Sequence, residues 1–225
     1  MARRDLVEWT PGSLATAMLI DPSNKNGLSI SDGDAISYWK DDSRRGQFSV
    51  SQTTAGNQPT WTESALNGNA AFTYASTGSA RQLKTTQTGL VVAWYVAVFN
   101  YTGAANFASY PILAWDANGV AGTKLIMGNG ASTILSDNGT FAVNGGALSA
   151  TCASLSPLTS PVIVYGEPNL TYANATSTLT NGVCLGDTGS RWVGDLYYFA
   201  CGQVALTTQE RSLLFLYLND RFAIY

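Results

Sequence analysis

Short runs of β-branched and aromatic residues, separated at close intervals by Gly, Ser, Thr and Asn, make up most of this sequence. Such runs are typical of β-strands, and the residues between them favour tight turns. The clearest run, residues 90–99, is apolar without alternation, which predicts a central strand covered on both faces. Further runs predict strands at 70–74, 112–115, 124–127, 140–143, 161–165, 182–185 and 193–200. The sequence therefore predicts an all-β fold.

Turn signals lie between several of these strands. Asn67-Gly68 predicts the turn of a hairpin that returns into strand 70–74, because Asn and Gly tolerate positive φ. Asn144-Gly145-Gly146 follows strand 140–143 and predicts a tight turn for the same reason. The segment 187–190, DTGS, predicts a hairpin turn between strands 182–185 and 193–200.

One helix is predicted, near the C-terminus. Thr207 and Glu210 have the spacing of a capping box, in which each side chain satisfies a backbone N–H group that the helix leaves unpaired. Leu214, Leu218 and Phe222 follow at intervals of four residues. They form one apolar stripe that can lie against a sheet.

Composition limits the class of protein further. The 225 residues are 45% hydrophobic and 12% charged, against about 25% charged in an ordinary soluble domain. The 6 Trp, 11 Tyr and 8 Phe can fill a sizeable core, which excludes disorder and fits a single domain. A net charge of −3 gives no electrostatic reason to bind nucleic acid. Because the sequence has no His, catalysis by Ser-His-Asp or Cys-His and zinc sites that use imidazole are excluded.

The N-terminal region and the cysteines bear on where the chain folds. The basic start lacks the apolar stretch of a secretory signal, and the apolar runs 90–99 and 213–218 are both much shorter than the about 20 residues of a membrane span. We therefore expect folding in a cytosol and no membrane partner. Cys152, Cys184 and Cys201 are odd in number and widely spaced, so we expect buried, reduced thiols and no disulfide within the chain. An intermolecular disulfide formed after release from the cell is the alternative.

Several short motifs occur in a fixed order along the chain. They are LID at 19–21, GDAISYWKDDS at 33–43, QPTW at 58–61, LNGNAAF at 66–72, LGD at 185–187, GDLYYF at 194–199 and the segment 205–222. This order resembles the concanavalin A-like, laminin G-like jelly-roll domains of phage virion proteins and bacterial surface proteins. The resemblance covers residues 13–225 and implies a jelly-roll β-sandwich with a short C-terminal helix. Residues 1–12 lie outside it and form either an anchoring arm or a frayed terminus.

The resemblance implies a function as well. We expect a non-enzymatic structural protein of a tailed phage virion, assembled in the host cytoplasm and displayed on the capsid or tail surface. The expected partners are other virion proteins, further copies of the chain and a surface glycan that is bound weakly. A bacterial carbohydrate-binding or adhesion module is the alternative, and a glycanase with an unrecognised site is a third hypothesis.

The acidic residues argue against catalysis. Some jelly rolls of this type hydrolyse glycans with paired carboxylates on one strand face, typically as Glu-x-Asp-x-Glu. That spacing does not occur here. Glu8, Glu63 and Glu167 are each isolated from other acids at strand spacing, and Glu210 is explained by helix capping. We therefore expect no enzymatic activity.

Calcium and sugar are the candidate ligands. Relatives of this type hold calcium with carboxylates and carbonyls from rim loops, and the candidates here are Asp32, Asp34, Asp116 and Asp187. Surface turns also need Asp for their own geometry, which is the competing explanation. The flat rings of Trp61, Trp115 and Trp192 lie near turn-rich segments and are the candidate glycan-binding residues. Burial in the core is the alternative for each of them.

Overall fold

The computed structural model describes residues 11, 14, 16–75, 81–85, 92–100, 113–114, 124–128, 134–135, 139–149, 160–168, 184–186 and 193–225. These residues form fourteen strands and one α-helix, α1 (Thr208–Phe222). The strands are β1 (Thr16–Ile20), β2 (Tyr38–Trp39), β3 (Val50–Ser51), β4 (Thr60–Leu66), β5 (Asn69–Tyr74), β6 (Gln82–Thr85), β7 (Trp94–Phe99), β8 (Leu113–Ala114), β9 (Lys124–Gly128), β10 (Ile134–Leu135), β11 (Gly139–Val143), β12 (Val162–Pro168), β13 (Cys184–Gly186) and β14 (Gly194–Gly202). The prediction of an all-β chain with one short C-terminal helix is confirmed.

The strands form two antiparallel sheets of seven strands each. The first sheet has the order β11-β12-β7-β14-β5-β4, and β1 pairs with β14 beside β5. The second has the order β10-β9-β8-β13-β6-β3-β2. All six residues of β7 are buried, and β7 lies between β12 and β14, as its uninterrupted apolar sequence predicts.

One apolar core is shared by the two sheets. Trp39 of the second sheet packs edge-on against Phe72 of the first, with ring centroids 5.0 Å apart. Val50 and Leu83 of the second sheet belong to the same buried cluster, together with Phe199 from β14. The two sheets therefore form a sandwich-like arrangement, in which burial of these side chains is the main stabilising contribution.

The other face of the first sheet is covered by α1. The helix buries Leu214, Phe215, Leu218 and Phe222 against this face, which confirms the predicted stripe. A β-bulge between Leu196 and Tyr198 turns two consecutive side chains, those of Tyr197 and Tyr198, towards the helix. The first sheet is thus the middle layer of the molecule.

The predicted helix cap is also present. Glu210 N–H donates to Thr207 Oγ1 at 3.2 Å, and Thr207 N–H donates to Glu210 Oε2 at 2.8 Å. These reciprocal bonds satisfy backbone donors at the start of α1. The pKa of Glu210 is lowered, because Thr207 Oγ1–H, at 2.7 Å, and Thr207 N–H both donate to its carboxylate and favour the ionised form.

Both predicted Asn-Gly turns occur. Asn67 and Gly68 have φ of +47° and +79° and connect β4 to β5, whose Leu66 and Asn69 are paired. Asn144 and Gly145 have φ of +47° and +77° after β11. Asn and Gly tolerate positive φ, whereas a β-branched side chain is strained there. An Asn-Gly pair between two strands is therefore a clear signal for a tight turn.

One predicted connection is wrong. The segment 187–190 was expected to join β13 and β14 as a hairpin, but β13 pairs with β6 and β8 in the second sheet, whereas β14 lies in the first. The segment itself lies outside the described residues. Residues that favour turns also suit a connection between sheets, so the turn signal alone did not identify the partner strand.

Most of the proposed N-terminal arm, including Glu8, lies outside the described residues. Pro11 is buried, and its carbonyl accepts hydrogen bonds from Leu14 N–H at 3.1 Å and from Thr16 Oγ1 at 2.9 Å. These contacts fix Pro11 at the start of β1. The described part of the chain includes no helix with the length and apolar character needed to cross a bilayer.

Candidate functional site

The tryptophans predicted to bind a sugar are Trp61, Trp115 and Trp192. Trp61 lies in β4 with 1% of its surface exposed, within the core shared by the sheets. Its Nε1–H donates to the carbonyl of Pro22 at 2.8 Å, and Lys25 Nζ lies 4.3 Å from the ring centroid. This burial corrects the expectation of an exposed ring at position 61, because the side chain points inward from β4. Trp115 and Trp192 lie outside the described residues.

Two of the four calcium candidates, Asp116 and Asp187, lie outside the described residues. Asp32 Oδ1 accepts a hydrogen bond from Glu63 N–H at 2.9 Å, and Asp34 Oδ2 accepts one from Ser31 N–H at 2.8 Å. The bond to Asp34 fits the alternative explanation, in which the acid shapes its own turn, whereas Asp32 connects that turn to β4. Within the described ranges, no three acidic or cysteine side chains are grouped closely enough to hold a metal ion.

The isolated glutamates have structural partners. Glu167 accepts hydrogen bonds from Tyr165 OH at 2.9 Å and from Arg211 Nη1 at 3.4 Å. Burial, together with this bond to the carboxylate, raises the pKa of Tyr165 well above its usual value, so the phenol remains protonated. Glu63 forms an exposed ion pair with Lys25 at 3.4 Å. These carboxylates hold β12 to α1 and β4 to the loop after β1.

A shallow cleft opens beside β2, and we call it the Tyr38 cleft. Its volume is about 260 Å³, and it is lined by Leu28, Ser29, Ile30, Asp34, Ala35, Ile36, Ser37 and Tyr38. Tyr38 is 45% exposed and Leu28 is 36% exposed. The cleft therefore offers an aromatic ring and an aliphatic side chain to the solvent, beside a carboxylate and serine hydroxyls.

Strand β2 positions the ring of Tyr38. The side chains alternate along the strand, so that Tyr38 points outward while Trp39 is fully buried in the shared core. Below the cleft, Ile36 N–H donates to Pro59 O at 2.8 Å, and Ala35 forms a β-bridge with Thr60. Tyr38 is thus supported by backbone pairing and by a buried neighbour. Tyr38 was not among the residues predicted from the sequence, although its position beside Trp39 in an extended segment indicates that the two side chains point to opposite sides.

A rigid loop follows β2 and is built around Asp41. This carboxylate is 1% exposed and accepts hydrogen bonds from the N–H groups of Leu19, Ser43 and Phe48 at 2.8–2.9 Å. It also accepts a bond from Ser43 Oγ at 2.9 Å. The bond from Ser43 N–H to the Asp41 carboxylate closes an Asx-type turn after Trp39. Since four donors hold one buried carboxylate, the loop has a fixed geometry.

Asp42 points to the other side of this loop. Its Oδ1 accepts hydrogen bonds from the side-chain amides of Asn24, at 2.8 Å, and Asn26, and its Oδ2 accepts one from Asp21 N–H at 3.1 Å. Burial is the main cause that raises the pKa of Asp42 from 3.8 to about 6, with smaller contributions from the nearby charges of Asp21 and Asp41. Asp42 therefore titrates in mildly acidic solution.

The side chains of the Tyr38 cleft and of the loop that follows β2 determine which ligands this part of the surface can bind. An exposed aromatic ring can stack on a flat apolar ligand face, and the carboxylates, amides and hydroxyls can bond to a polyhydroxylated ligand. Comparison of the chain with family models, with curated proteins and with solved structures found no match.

Proposed function

We propose that the chain is a non-enzymatic structural protein of a tailed phage virion, displayed on the capsid or tail surface as a concanavalin A-like jelly-roll module that binds glycans weakly. The order of the sequence motifs supports this family. Two antiparallel sheets with a shared core and a terminal helix fit the sandwich plan of such a module. A core rich in large buried aromatic residues suits a module that must remain folded outside the cell.

The use of the acidic side chains supports a non-enzymatic role. Asp41 is occupied by four hydrogen bonds within the chain, and Asp21 and Glu167 are paired with Arg221 and Arg211. Hydrolysis of a glycoside by the usual route requires two carboxylates on either side of the scissile bond, one of them free to donate a proton. Carboxylates that hold loops and helices in place are poorly suited to that task.

The Tyr38 cleft is the observation that carries the glycan proposal. A sugar ring has an apolar face that can stack on Tyr38, while Asp34 and Ser37 lie in the same cleft and can bond to hydroxyls. Its volume of about 260 Å³ is below the about 300–1,000 Å³ of pockets for drug-sized ligands. We therefore expect a small contact with millimolar to micromolar affinity, about −4 to −8 kcal/mol.

The virion assignment is tested on purified particles. Proteomics of purified particles should find the chain in a regular copy number, and gold-labelled antibodies against it should mark the capsid or tail surface in electron micrographs. Absence of the chain from particles that carry their other structural proteins would overturn the virion assignment.

The glycan assignment is tested by substitution. For a glycan that the wild type binds, Tyr38→Ala should raise the dissociation constant at least 10-fold, because it removes the stacking surface. Tyr225→Ala is the matched control, since Tyr225 is 54% exposed and lies outside the Tyr38 cleft. Equal binding by the wild type and Tyr38→Ala would show that the cleft is not the site.

The non-enzymatic role has its own assay. Purified protein incubated with host and storage polysaccharides, with and without calcium, should release no reducing sugar. Calcium-dependent release that disappears when one carboxylate is replaced would favour the glycanase hypothesis instead.

A bacterial carbohydrate-binding or adhesion module is the second candidate, and the Tyr38 cleft supports it equally well. The neighbouring genes discriminate between the two. Capsid, portal or tail genes beside this one favour the virion protein, whereas genes for polysaccharide use favour the bacterial module.

A further inference from the structure

A second cleft is lined mainly by residues that follow Tyr38 in the chain, three of which are cations. We call it the basic cleft: its volume is about 320 Å³, and it is lined by Asn24, Asn26, Lys40, Asp41, Asp42, Ser43, Arg44, Arg45 and Gly46. The side chains of Lys40, Arg44 and Arg45 are exposed. Three cations thus lie within the six residues 40–45 of a chain whose net charge is −3.

The two arginines lie on a tight turn with a fixed geometry. Gly46 N–H donates to Ser43 O at 3.0 Å and lies 3.3 Å from Ser43 Oγ, so the turn is closed across Arg44 and Arg45. The buried Asp41 anchors Ser43 from below, as described above. Because the backbone is held in place, less conformational entropy is lost when a ligand binds at this turn.

These cations are not neutralised by ion pairs within the described part of the chain. Its three ion pairs involve Lys25, Arg211 and Arg221. Of the two carboxylates in the cleft wall, Asp41 is bonded within the loop, and Asp42 is bonded to two asparagine amides and a backbone N–H group. Lys40, Arg44 and Arg45 therefore remain available to an anion.

The basic cleft and the Tyr38 cleft are joined by the outward side chains of one segment. Residues 38–41 are alternately exposed and buried, so Tyr38 and Lys40 lie on the same side. Positions two apart in an extended chain are separated by about 6.5 Å. Lys40 also lines the basic cleft with Arg44 and Arg45, so a ligand of two or more sugar rings that stacks on Tyr38 can extend past Lys40 towards the two arginines.

We propose that these two clefts together bind an anionic glycan, with a sugar ring on Tyr38 and its carboxylate or phosphate groups at Lys40, Arg44 and Arg45. This inference rests on the proposed glycan binding and names the class of glycan. Arginine suits both anions, because its guanidinium group can donate two parallel hydrogen bonds. Asn24, Asn26 and Asp42 add partners for hydroxyls.

Binding measurements with paired ligands test the proposal. The acidic probes are oligogalacturonate and oligomannuronate, which carry carboxylates, and a phosphorylated mannan oligosaccharide. The neutral counterparts are the methyl esters of the first two and the dephosphorylated form of the third. Polyphosphate and single-stranded DNA are the controls for nonspecific electrostatic binding of polyanions to the basic cleft. We expect at least one acidic probe to bind more than 10-fold tighter than its neutral counterpart at low salt, and the type that binds distinguishes carboxylate from phosphate.

Three variants separate the two clefts. Arg44→Ala combined with Arg45→Ala should reduce binding of the acidic probe at least 10-fold and leave that of its neutral counterpart unchanged. Tyr38→Ala should weaken both. Lys84→Ala, a cation of β6 outside the clefts, should change neither, and restoring charge with Arg44→Lys and Arg45→Lys should recover part of the binding. Equal melting temperatures will show that each variant is folded.

Other outcomes contradict the proposal in distinct ways. Equal affinity for acidic and neutral probes, or unchanged binding by the double arginine variant, would overturn the anionic class and leave the glycan function intact. Binding of polyphosphate or DNA as tight as that of the acidic glycan would identify a general anion surface instead. Failure of every oligosaccharide to bind would overturn both the inference and the proposed glycan binding.

Discussion

Arg221 donates two hydrogen bonds to the carboxylate of Asp21, at 2.6 and 2.8 Å, across 200 positions of sequence. Arg221 lies in the last turn of α1, and Asp21 directly follows β1. The same arginine donates through Nε to Asn69 Oδ1 at 2.9 Å, and Asn69 Nδ2 donates back to the carbonyl of Arg221 at 3.1 Å. The end of the helix is therefore fixed to the first strand and to the β4–β5 turn at one point.

The first prediction concerns this ion pair. Arg221→Met should reduce the free energy of unfolding by about 1–3 kcal/mol, because it leaves the carboxylate of Asp21 partly buried without its partner. The side chains of Arg221 and Asp21 are 19% and 13% exposed, so solvent screens the pair only partly. Chemical denaturation at neutral pH measures the change.

Glu63→Gln is the control for that measurement. It breaks the pair with Lys25, whose side chains are 39% and 61% exposed, and should cost about 0–1 kcal/mol. If the two variants lose the same stability, the Arg221–Asp21 pair does not anchor the helix.

The second prediction ranks two contacts of α1. Leu214→Ala should cost about 2–5 kcal/mol, because Leu214 is fully buried and its loss leaves a cavity between helix and sheet. Thr207→Ala removes only the cap and should cost about 1 kcal/mol. Urea denaturation of both variants gives the order, and a larger loss for Thr207→Ala would contradict the packing of the helix.

The third prediction concerns the cysteines. Cys201 is a free, fully buried thiol, and burial raises its pKa well above the usual value. Since the thiolate is the reactive form, iodoacetamide should leave Cys201 unmodified in the native protein and label it after unfolding. Mass spectrometry locates the label. Titration in denaturant without reductant should find three thiols for Cys152, Cys184 and Cys201, and a result of one would show a disulfide within the chain.

The fourth prediction is a pH dependence of stability due to Asp42. Its pKa is raised to about 6 in the folded protein, so between pH 4 and 6 the folded chain binds more protons than the unfolded chain. The contribution of Asp42 to stability therefore decreases as pH rises through this window. The decrease should be about 1–2 kcal/mol, below the value for a fully buried group because Asp42 is partly solvated.

Asp42→Asn tests this directly. The variant should be as stable as the wild type, or less stable, near pH 4, and its stability should improve relative to the wild type by pH 7. Denaturation curves at pH 4, 5, 6 and 7 give the difference. A difference that stays constant across these values would show that Asp42 ionises normally in the folded protein.

Local features of the fold could be predicted from the sequence. The helix cap depends on two residues three positions apart, Thr207 and Glu210, which form a recognisable motif. Strand β7 is buried on both faces, and this burial gives an uninterrupted apolar run in the sequence. The turn at Asn67 requires positive φ, which few residues tolerate. Such features are encoded within a few positions of the chain.

Features that depend on distant partners could not be predicted in the same way. The strand pattern at β13 gives no information on whether it pairs with β14 or with β6 and β8. Trp61 and Tyr38 are both aromatic residues near turns, and only the position of each strand in its sheet decides that Trp61 is buried and Tyr38 exposed. The sequence therefore could not show that, of these two rings, Trp61 is the buried one and Tyr38 the exposed one.

The position of β14 in the first sheet has a consequence for biosynthesis. This strand pairs with β1, β5 and β7, yet it is translated after all of them. At about 5–20 residues per second, the interval between β1 and β14 on the ribosome is on the order of 10–40 s. Throughout that time the nascent chain carries strands whose central partner has not been made. The sheet can be completed only after β14 leaves the exit tunnel, so its central strand pairings form later than those among the strands made before β14.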